Sequence, residues 1–218
     1  MRNRVWRCAI ASVPLWLAVA ATPVWALSYG MSDTFQSGVD GGWSMGASSV
    51  NSPVVVGNGG PAGAGDGYLS VVAIGGISAN SRLTVIAGPQ WAGNYLAAGI
   101  DQITMDVKNF GSTDLALRVW LAGPPGASAL SSNAVTVPAA SDWVSVSFAL
   151  DTTALGGQVA ATLANTQQLR LFHSSTASFP GEALVGSLGI DNVTAVPEPA
   201  AAWLLLAGLA TLMARRTR

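Results

Sequence analysis

The chain has 218 residues and a net charge of −1, so it holds about one domain once both apolar ends are set aside. The small net charge hides an asymmetry, because residues 27–195 carry four basic and ten acidic side chains, a balance of −6. This acidic body has no basic patch to displace phosphate counterions, which argues against nucleic acid as a partner.

Residues 1–26 have the composition of a secretory signal peptide. Three arginines form a basic start, an apolar segment covers residues 8–21, and Val24-Trp25-Ala26 is a loose small-x-small cleavage site. Export through the Sec translocon is therefore expected, with a mature chain starting at Leu27. The alternative is an uncleaved membrane helix, although Pro14 and Pro23 interrupt the segment.

The single cysteine, Cys8, lies inside this leader. The exported part would then contain no disulfide bond, although disulfides are common outside the cell. Packing or a bound metal must supply the stability that crosslinks often provide there.

Between residues 27 and 195, short apolar alternations are separated by Gly, Pro, Asn, Asp and Ser, which predicts an all-β domain. Nine or ten strands in about 170 residues favour a two-sheet antiparallel β-sandwich of the jelly-roll kind. One helical turn is expected at 158–165, and the glycine-rich segment 57–67 is expected to be a loop. The predicted strands, in chain order, are 31–35, 43–47, 53–56, 68–74, 82–87, 103–108, 115–121, 143–150, 168–172 and 184–195.

The strand at 115–121 has the alternation that matters most for function. Its apolar residues should face the core, namely Leu115, Leu117, Val119 and Leu121. Arg118 and Trp120 then share the outward face, and an indole beside a guanidinium is a suitable platform for a sugar ring. Trp91 and Tyr95 share a loop and form a second candidate pair. For each of these side chains the alternative is ordinary packing.

Nothing in the body predicts catalysis. His173 is the single histidine and stands at a strand end, without a Gly-x-Ser-x-Gly elbow to supply a serine. No His, Cys or acidic cluster has the spacing of a zinc site. Paired-carboxylate chemistry stays open, because acids close in space can be remote in sequence. We therefore expect a protein that is not an enzyme.

The C-terminal residues 196–218 have three parts. Val196-Pro197-Glu198-Pro199 comes first, an uncharged segment covers residues 200–214, and Arg215, Arg216 and Arg218 end the chain. As a helix the uncharged segment would reach about 22 Å, short of a hydrocarbon core of about 30 Å. The arginines can extend that span by snorkelling, and they favour the cytoplasmic side.

This order of parts closely resembles the PEP-CTERM sorting signal of Gram-negative bacteria. The resemblance implies recognition by an exosortase, an inner-membrane intermediate, and a final place at the cell surface or in the extracellular polysaccharide matrix. It implies a route and a setting but not an activity. An ordinary short tail anchor is the alternative.

The body also resembles galactose-binding-like jelly rolls, which include many carbohydrate-binding modules. The matching pieces are Asp33-Thr34-Phe35, the paired strands at 103–108 and 115–121, Asp142-Trp143 and Gly189-Ile190-Asp191-Asn192-Val193. The resemblance implies a structural calcium ion shared by Asp33 and Asp191, with backbone oxygens completing the six to eight ligands that calcium needs. Otherwise Asp33 is a turn former and Asp191 a solvated strand end.

Two classes of function follow from the sequence. One is a non-catalytic module that binds extracellular polysaccharide. The other is a structural matrix or biofilm protein without a specific glycan ligand.

Overall fold

A computed structural model describes residues 27–46, 49, 51–78 and 81–197. The predicted leader 1–26 and the tail from Glu198 onward lie outside the described residues. Within the described ranges, no helix is long and apolar enough to cross a lipid bilayer.

The described chain folds into two antiparallel sheets, which confirms the predicted all-β sandwich. The first sheet has the order β2-β3-β12-β5-β9, and β1 pairs with the far half of β12. We call it the β12 sheet, after its central strand. Its strands are β1 (Ser32–Asp33), β2 (Val54–Val56), β3 (Tyr68–Ile74), β5 (Ile100–Asn109), β9 (Val144–Ala149) and β12 (Val185–Pro197).

The second sheet has the order β10-β7-β6-β11-β4, and β8 pairs with β6. We call it the β6 sheet. A short 3-10 helix (Pro89–Trp91) follows β4, and one α-helix, α1 (Val159–Ala164), lies within the predicted helical turn. The strands of the β6 sheet are β4 (Thr84–Ile86), β6 (Leu115–Ala122), β7 (Ser128–Ser131), β8 (Val135–Val137), β10 (Leu155–Gly157) and β11 (Gln168–His173).

The core lies between the sheets and follows the period-two alternation of the sequence. In β6 the four residues expected to face inward are fully buried, as are Ile103 and Val107 in β5. Each such side chain contributes about 1.5–3 kcal/mol when it leaves water. This burial fixes the register, because a slip by one residue would turn the apolar set outward.

A bulge interrupts β12 where the pairing with β5 shifts register between Asp191 and Thr194. Asn192 lies in the bulge with φ 51, a left-handed conformation that asparagine tolerates better than most residues. Before the bulge Asp191 pairs with Asp106 of β5, and after it Val193 and Ala195 return to the core. Asp191 faces outward by the alternation that precedes the bulge, and the extra residue then puts Val193 and Ala195 in the core in place of Asn192 and Thr194.

Candidate functional site

A row of directly paired residues crosses the outer face of the β6 sheet. It runs through all five strands of the sheet path, from Ile86 through Arg170, Trp120 and Leu130 to Gly156. All five face outward because their strand neighbours are core residues such as Val85, Leu171 and Leu121. The pairing between strands thus brings residues from five distant parts of the chain into one line.

The indole of Trp120 stacks on Phe179, which comes from the segment between β11 and β12. The two ring centroids lie 4.6 Å apart with the planes inclined by 12°. The Arg170 guanidinium carbon lies 5.2 Å from the Trp120 ring and 5.1 Å from the Phe179 ring. The indole of Trp120 is therefore partly covered. Phe179 and the Arg170 guanidinium contact its ring, and the rest of its surface is exposed to solvent.

The stacked rings form one wall of a groove of about 490 Å³ over the β10 side of the sheet. The side of the groove opposite the rings is formed by Gly156 and Gly157 of β10, and it is shallow because neither residue has a side chain. Serine hydroxyls and small apolar groups complete the lining, and no lining residue is acidic: Ser128, Leu130, Ser132, Ala177 and Ser178.

The segment that carries Phe179 is held down at several points. Ser174 Oγ donates to the carbonyl of Ser178 at 3.0 Å, and a guanidinium nitrogen of Arg82 donates to the carbonyl of Gly181. Glu182 accepts from the backbone N–H of Ser175 at 2.9 Å and from its hydroxyl at 2.6 Å. Burial opposes the shift, but these hydrogen bonds lower the pKa of Glu182 to about 2. The groove wall is thus preorganised by its own segment.

Arg118 faces outward as expected but is only 5% exposed. Its Nε donates to the carbonyl of Ser174 at 3.0 Å, and its Nη1 donates to the carbonyls of Ser131 and Ser132 at 2.8 and 2.9 Å. Desolvation by burial lowers the pKa of its guanidinium. This corrects the expected sugar contact, because the head group of Arg118 is used within the fold.

Trp91 and Tyr95 are also core residues, since both are fully buried. The Tyr95 hydroxyl donates to the carbonyl of Trp91 at 2.9 Å, and burial raises the pKa of that hydroxyl. The segment 89–95 packs inward through both rings, so neither ring is presented to a ligand at the surface. The loop platform expected from the sequence is corrected accordingly.

Asp33 lies where β1 meets the 3-10 helix, and its carboxylate is surrounded by N–H donors. The indole N–H groups of Trp43 and Trp91 both donate to Oδ2 at 2.7 Å, and Nε2 of Gln90 donates at 3.0 Å. These bonds tie β1 of one sheet to the segment after β4 of the other. The carboxylate of Asp33 therefore has a structural role that needs no cation.

Asp191 has the opposite surroundings. It is fully buried, and neither carboxylate oxygen makes a hydrogen bond of normal geometry within the described residues. Burial raises its pKa to about 6, and the charges of Asp66 and Asp106 add to this shift, while the nearby backbone N–H of Asn192 acts in the opposite direction. Unpaired buried carboxylate oxygens are costly unless they are protonated or bind a cation.

The segment 57–67 is attached to the outer face of the β12 sheet close to Asp191. Trp143 donates from Nε1 to the carbonyl of Gly59 at 2.9 Å, and Asp66 accepts from the backbone N–H of Ala62 at 2.6 Å and from the side chain of Gln36. The N–H donors around Asp33 do not suit a cation, and the carboxylate of Asp191 supplies at most two of the six to eight oxygen ligands that calcium takes. No group of three or more His, Cys, Asp or Glu side chains in the described ranges is arranged to hold a metal.

His173 has a structural position at the end of β11. Its Nδ1 accepts from the backbone N–H of Ala116 at 3.0 Å, and its Nε2 lies 3.7 Å from a carboxylate oxygen of Glu182. Burial lowers the pKa of the imidazole, although Glu182 acts in the opposite direction.

Sequence reasoning missed Phe179 and Gly156, which line the groove, and Arg170, which lies against its two wall rings. The alternation of 168–172 does place Arg170 outward, but its pairing with Trp120 is a property of the strand order. No sequence signal places Phe179 on Trp120.

Comparison with known proteins shows likeness in fold. No family model matches this chain, and no curated protein matches it in sequence. An exo-beta-agarase structure is similar over 79% of this chain with a TM-score of 0.58 and 12% identity, and this chain spans about a quarter (25%) of that protein. A family 11 carbohydrate-binding module from Clostridium thermocellum, solved with a β-1,3-1,4-mixed-linked tetrasaccharide, is similar over 79% of this chain and 97% of its own, with a TM-score of 0.50 and 14% identity.

Proposed function

We propose that this protein is a non-catalytic polysaccharide-binding module whose site is the groove across the outer face of the β6 sheet. The observation that carries the proposal is the stacked pair of Trp120 and Phe179 beside a hydroxyl-lined groove. Aromatic surface with a few polar groups is the usual means of holding a sugar ring. The family 11 carbohydrate-binding module of similar fold supports the proposal, since its structure was solved in complex with a tetrasaccharide.

The composition of the groove favours binding over hydrolysis. Glycoside hydrolysis uses a pair of carboxyl groups on either side of the scissile bond. The groove lining contains no carboxyl group and no imidazole, so it offers no general acid or base. The proposed role is therefore retention of a polymer.

Gly156 offers a direct test, because a side chain added there would enter the groove without strain. The nearest heavy atoms to an added Cβ are Ser132 Oγ at 3.8 Å and the Leu130 carbonyl oxygen at 4.0 Å, both at ordinary contact distance. Gly57 is a matched control, since it is exposed, has open space around it and lies in the loop over the other sheet.

We expect the purified protein to be retained on at least one immobilised polysaccharide from a panel of neutral and acidic polymers. Gly156→Ile should weaken retention at least tenfold at an unchanged melting temperature, and Gly57→Ile should leave it unchanged. Absence of retention on every polymer, or equal retention by both variants, would overturn the proposed function.

The export route belongs to the same proposal. It is supported by the leader-like residues 1–26 and by the tail, of which Val196 and Pro197 end β12 while Glu198 onward lies outside the described residues. The proposal includes exosortase as a processing partner, a membrane-held intermediate and a final location outside the cell. Mass spectrometry of the extracellular protein should find a chain that starts near Leu27 and ends near Pro199. An extracellular form that retains Arg215 to Arg218 would contradict the sorting step.

A further inference from the structure

The four cations of the described body differ in how their charges are used. Arg82 donates to the backbone carbonyls of Gly181 and Ile77, and Arg118 donates to three carbonyls as described above. Lys108 lies 3.7 Å from a carboxylate oxygen of Asp142. Each of these cations has an acceptor within the protein.

Arg170 is different. Its Nε donates to Oε1 of Gln168 at 2.6 Å, which orients the guanidinium plane. Its two terminal nitrogens make no hydrogen bond and no ion pair within the described ranges. Desolvation by burial lowers the pKa of the group, which agrees with a position that is partly withdrawn from water. The terminal nitrogens of Arg170 are therefore oriented N–H donors, and the positive charge of the guanidinium has no counterion within the described residues.

The position of these donors is tied to the groove. Arg170 is the direct cross-strand partner of Trp120, and its guanidinium lies against both rings of the groove wall. A polymer that follows the row of paired residues from Gly156 would pass the ring pair and reach Arg170 next. Neighbouring strands are about 4.8 Å apart, so the two positions are within one sugar unit of each other.

The distribution of charge on the surface favours an anionic ligand at the groove. Residues 27–195 have a balance of −6, yet no acidic residue lines the groove. A polyanion would be repelled by most of the surface and accepted at this place. A neutral glycan would cover Arg170 and leave its charge without a counterion, which is unfavourable.

We propose that the ligand of this groove is an acidic polysaccharide whose anionic group pairs with Arg170. This proposal rests on the proposed polysaccharide-binding function and adds the class of ligand. Oxyanions that present two acceptor oxygens suit the two parallel N–H donors of a guanidinium, and both the planar carboxylate and the tetrahedral sulfate group present such a pair. Uronic acids and sulfated sugars are therefore the two sources to be distinguished.

The test compares polymers that differ in charge. Alginate and polygalacturonate supply carboxylates, their carboxyl-reduced forms are neutral counterparts, and dextran sulfate with dextran supplies the sulfate pair. Affinity of the purified protein is measured for each polymer, together with Arg170→Gln and with Lys108→Gln, which removes the same charge on the opposite sheet.

We expect at least one acidic polymer to bind about tenfold to a hundredfold more tightly than its neutral counterpart. Arg170→Gln should abolish that preference at an unchanged melting temperature, and Lys108→Gln should preserve it. Retention on the carboxylate polymers alone, or on dextran sulfate alone, identifies the source of the anion.

Two results would overturn the inference. Equal affinity for charged and neutral forms would leave the polysaccharide-binding function standing and remove the acidic ligand. A preference that survives Arg170→Gln would assign the charge recognition to another part of the surface. Absence of binding to all polymers would instead reject the proposed function itself.

Discussion

The outer faces of the two sheets are built alike and used differently. Each presents outward-facing polar and aromatic side chains, and one irregular segment lies over each face. On the β6 sheet the segment 174–184 lays Phe179 on Trp120 and leaves a groove beside it. On the β12 sheet the segment 57–67 is fastened by Trp143, and the carboxylate of Asp191 is fully buried.

The difference shows that the covering segment decides what an outward-facing charge can do. Arg118 and Arg170 lie on the same face of neighbouring strands, but carbonyls of the surrounding segments enclose Arg118 and leave the end of Arg170 free. Alternation along a strand assigns a side chain to a face. It does not say whether that face is open.

The largest expected effect distinguishes these two arginines. Arg118→Met should lower the free energy of unfolding by about 2–4 kcal/mol, because it leaves the buried carbonyls of Ser131, Ser132 and Ser174 without their donor. Arg170→Met should cost less than about 1 kcal/mol, since it loses chiefly the contact with two rings. Urea denaturation of both variants measures the difference. Equal losses would show that the two arginines are equivalent in the fold.

Calcium should act on the β12 sheet through Asp191 and not through Asp33. If the ion binds the folded state alone, calcium at one hundred times its Kd stabilises the protein by about 2.7 kcal/mol. The gain should nearly vanish in Asp191→Asn. Asp33→Asn should lower the melting temperature but keep the gain, because its donors are the indoles and Gln90. A gain that persists in Asp191→Asn would place the ion elsewhere.

A smaller effect is expected from pH in the presence of a chelator. The pKa of Asp191 is raised from 3.8 to about 6 in the folded state, so between these values the folded protein binds the proton more tightly than the unfolded chain. Stability should then fall as pH rises from about 4 to 6, by about 1–2 kcal/mol after solvent screening is allowed for. Asp191→Asn should remove this decline. Parallel pH profiles for the two proteins would show that the carboxylate is solvated.

Sequence reasoning succeeded where a strand has one buried and one exposed face. In β6 it placed Leu115, Leu117, Val119 and Leu121 inward and Trp120 outward, because period-two alternation reports burial directly. The strand predicted at 43–47 is wrong, since its described part forms only an isolated bridge at Ser44, and β8 (Val135–Val137) was missed. Sequence reasoning also missed β7 and β10, whose sequences Ser-Ala-Leu-Ser and Leu-Gly-Gly have little strand propensity. Those strands exist because β6 offers β7 an edge to pair with, and β7 does the same for β10.

The candidate site was harder to predict, since it depends on contacts remote in sequence. Asp33 and Asp191 look equivalent in the sequence, and yet Trp91 and Gln90 donate to Asp33 while Asp191 makes no hydrogen bond of normal geometry within the described residues. Trp120 was identified correctly as outward-facing, but its partner Phe179 lies 59 residues further along the chain. Such pairs follow from how the loops settle on the sheets, and one sequence does not reveal that.

The central place of β12 has a mechanical consequence. This strand of 13 residues is hydrogen-bonded to β5 on one side and to β3 and β1 on the other, and its last two residues, Val196 and Pro197, are the first two of the C-terminal segment 196–218. Tension applied through the tail would load both ladders in shear, so that many hydrogen bonds would have to break together, whereas a strand at the border of a sheet could be peeled away bond by bond. A pull on the C-terminal end of β12 would therefore act on the strand that is hardest to extract from the β12 sheet.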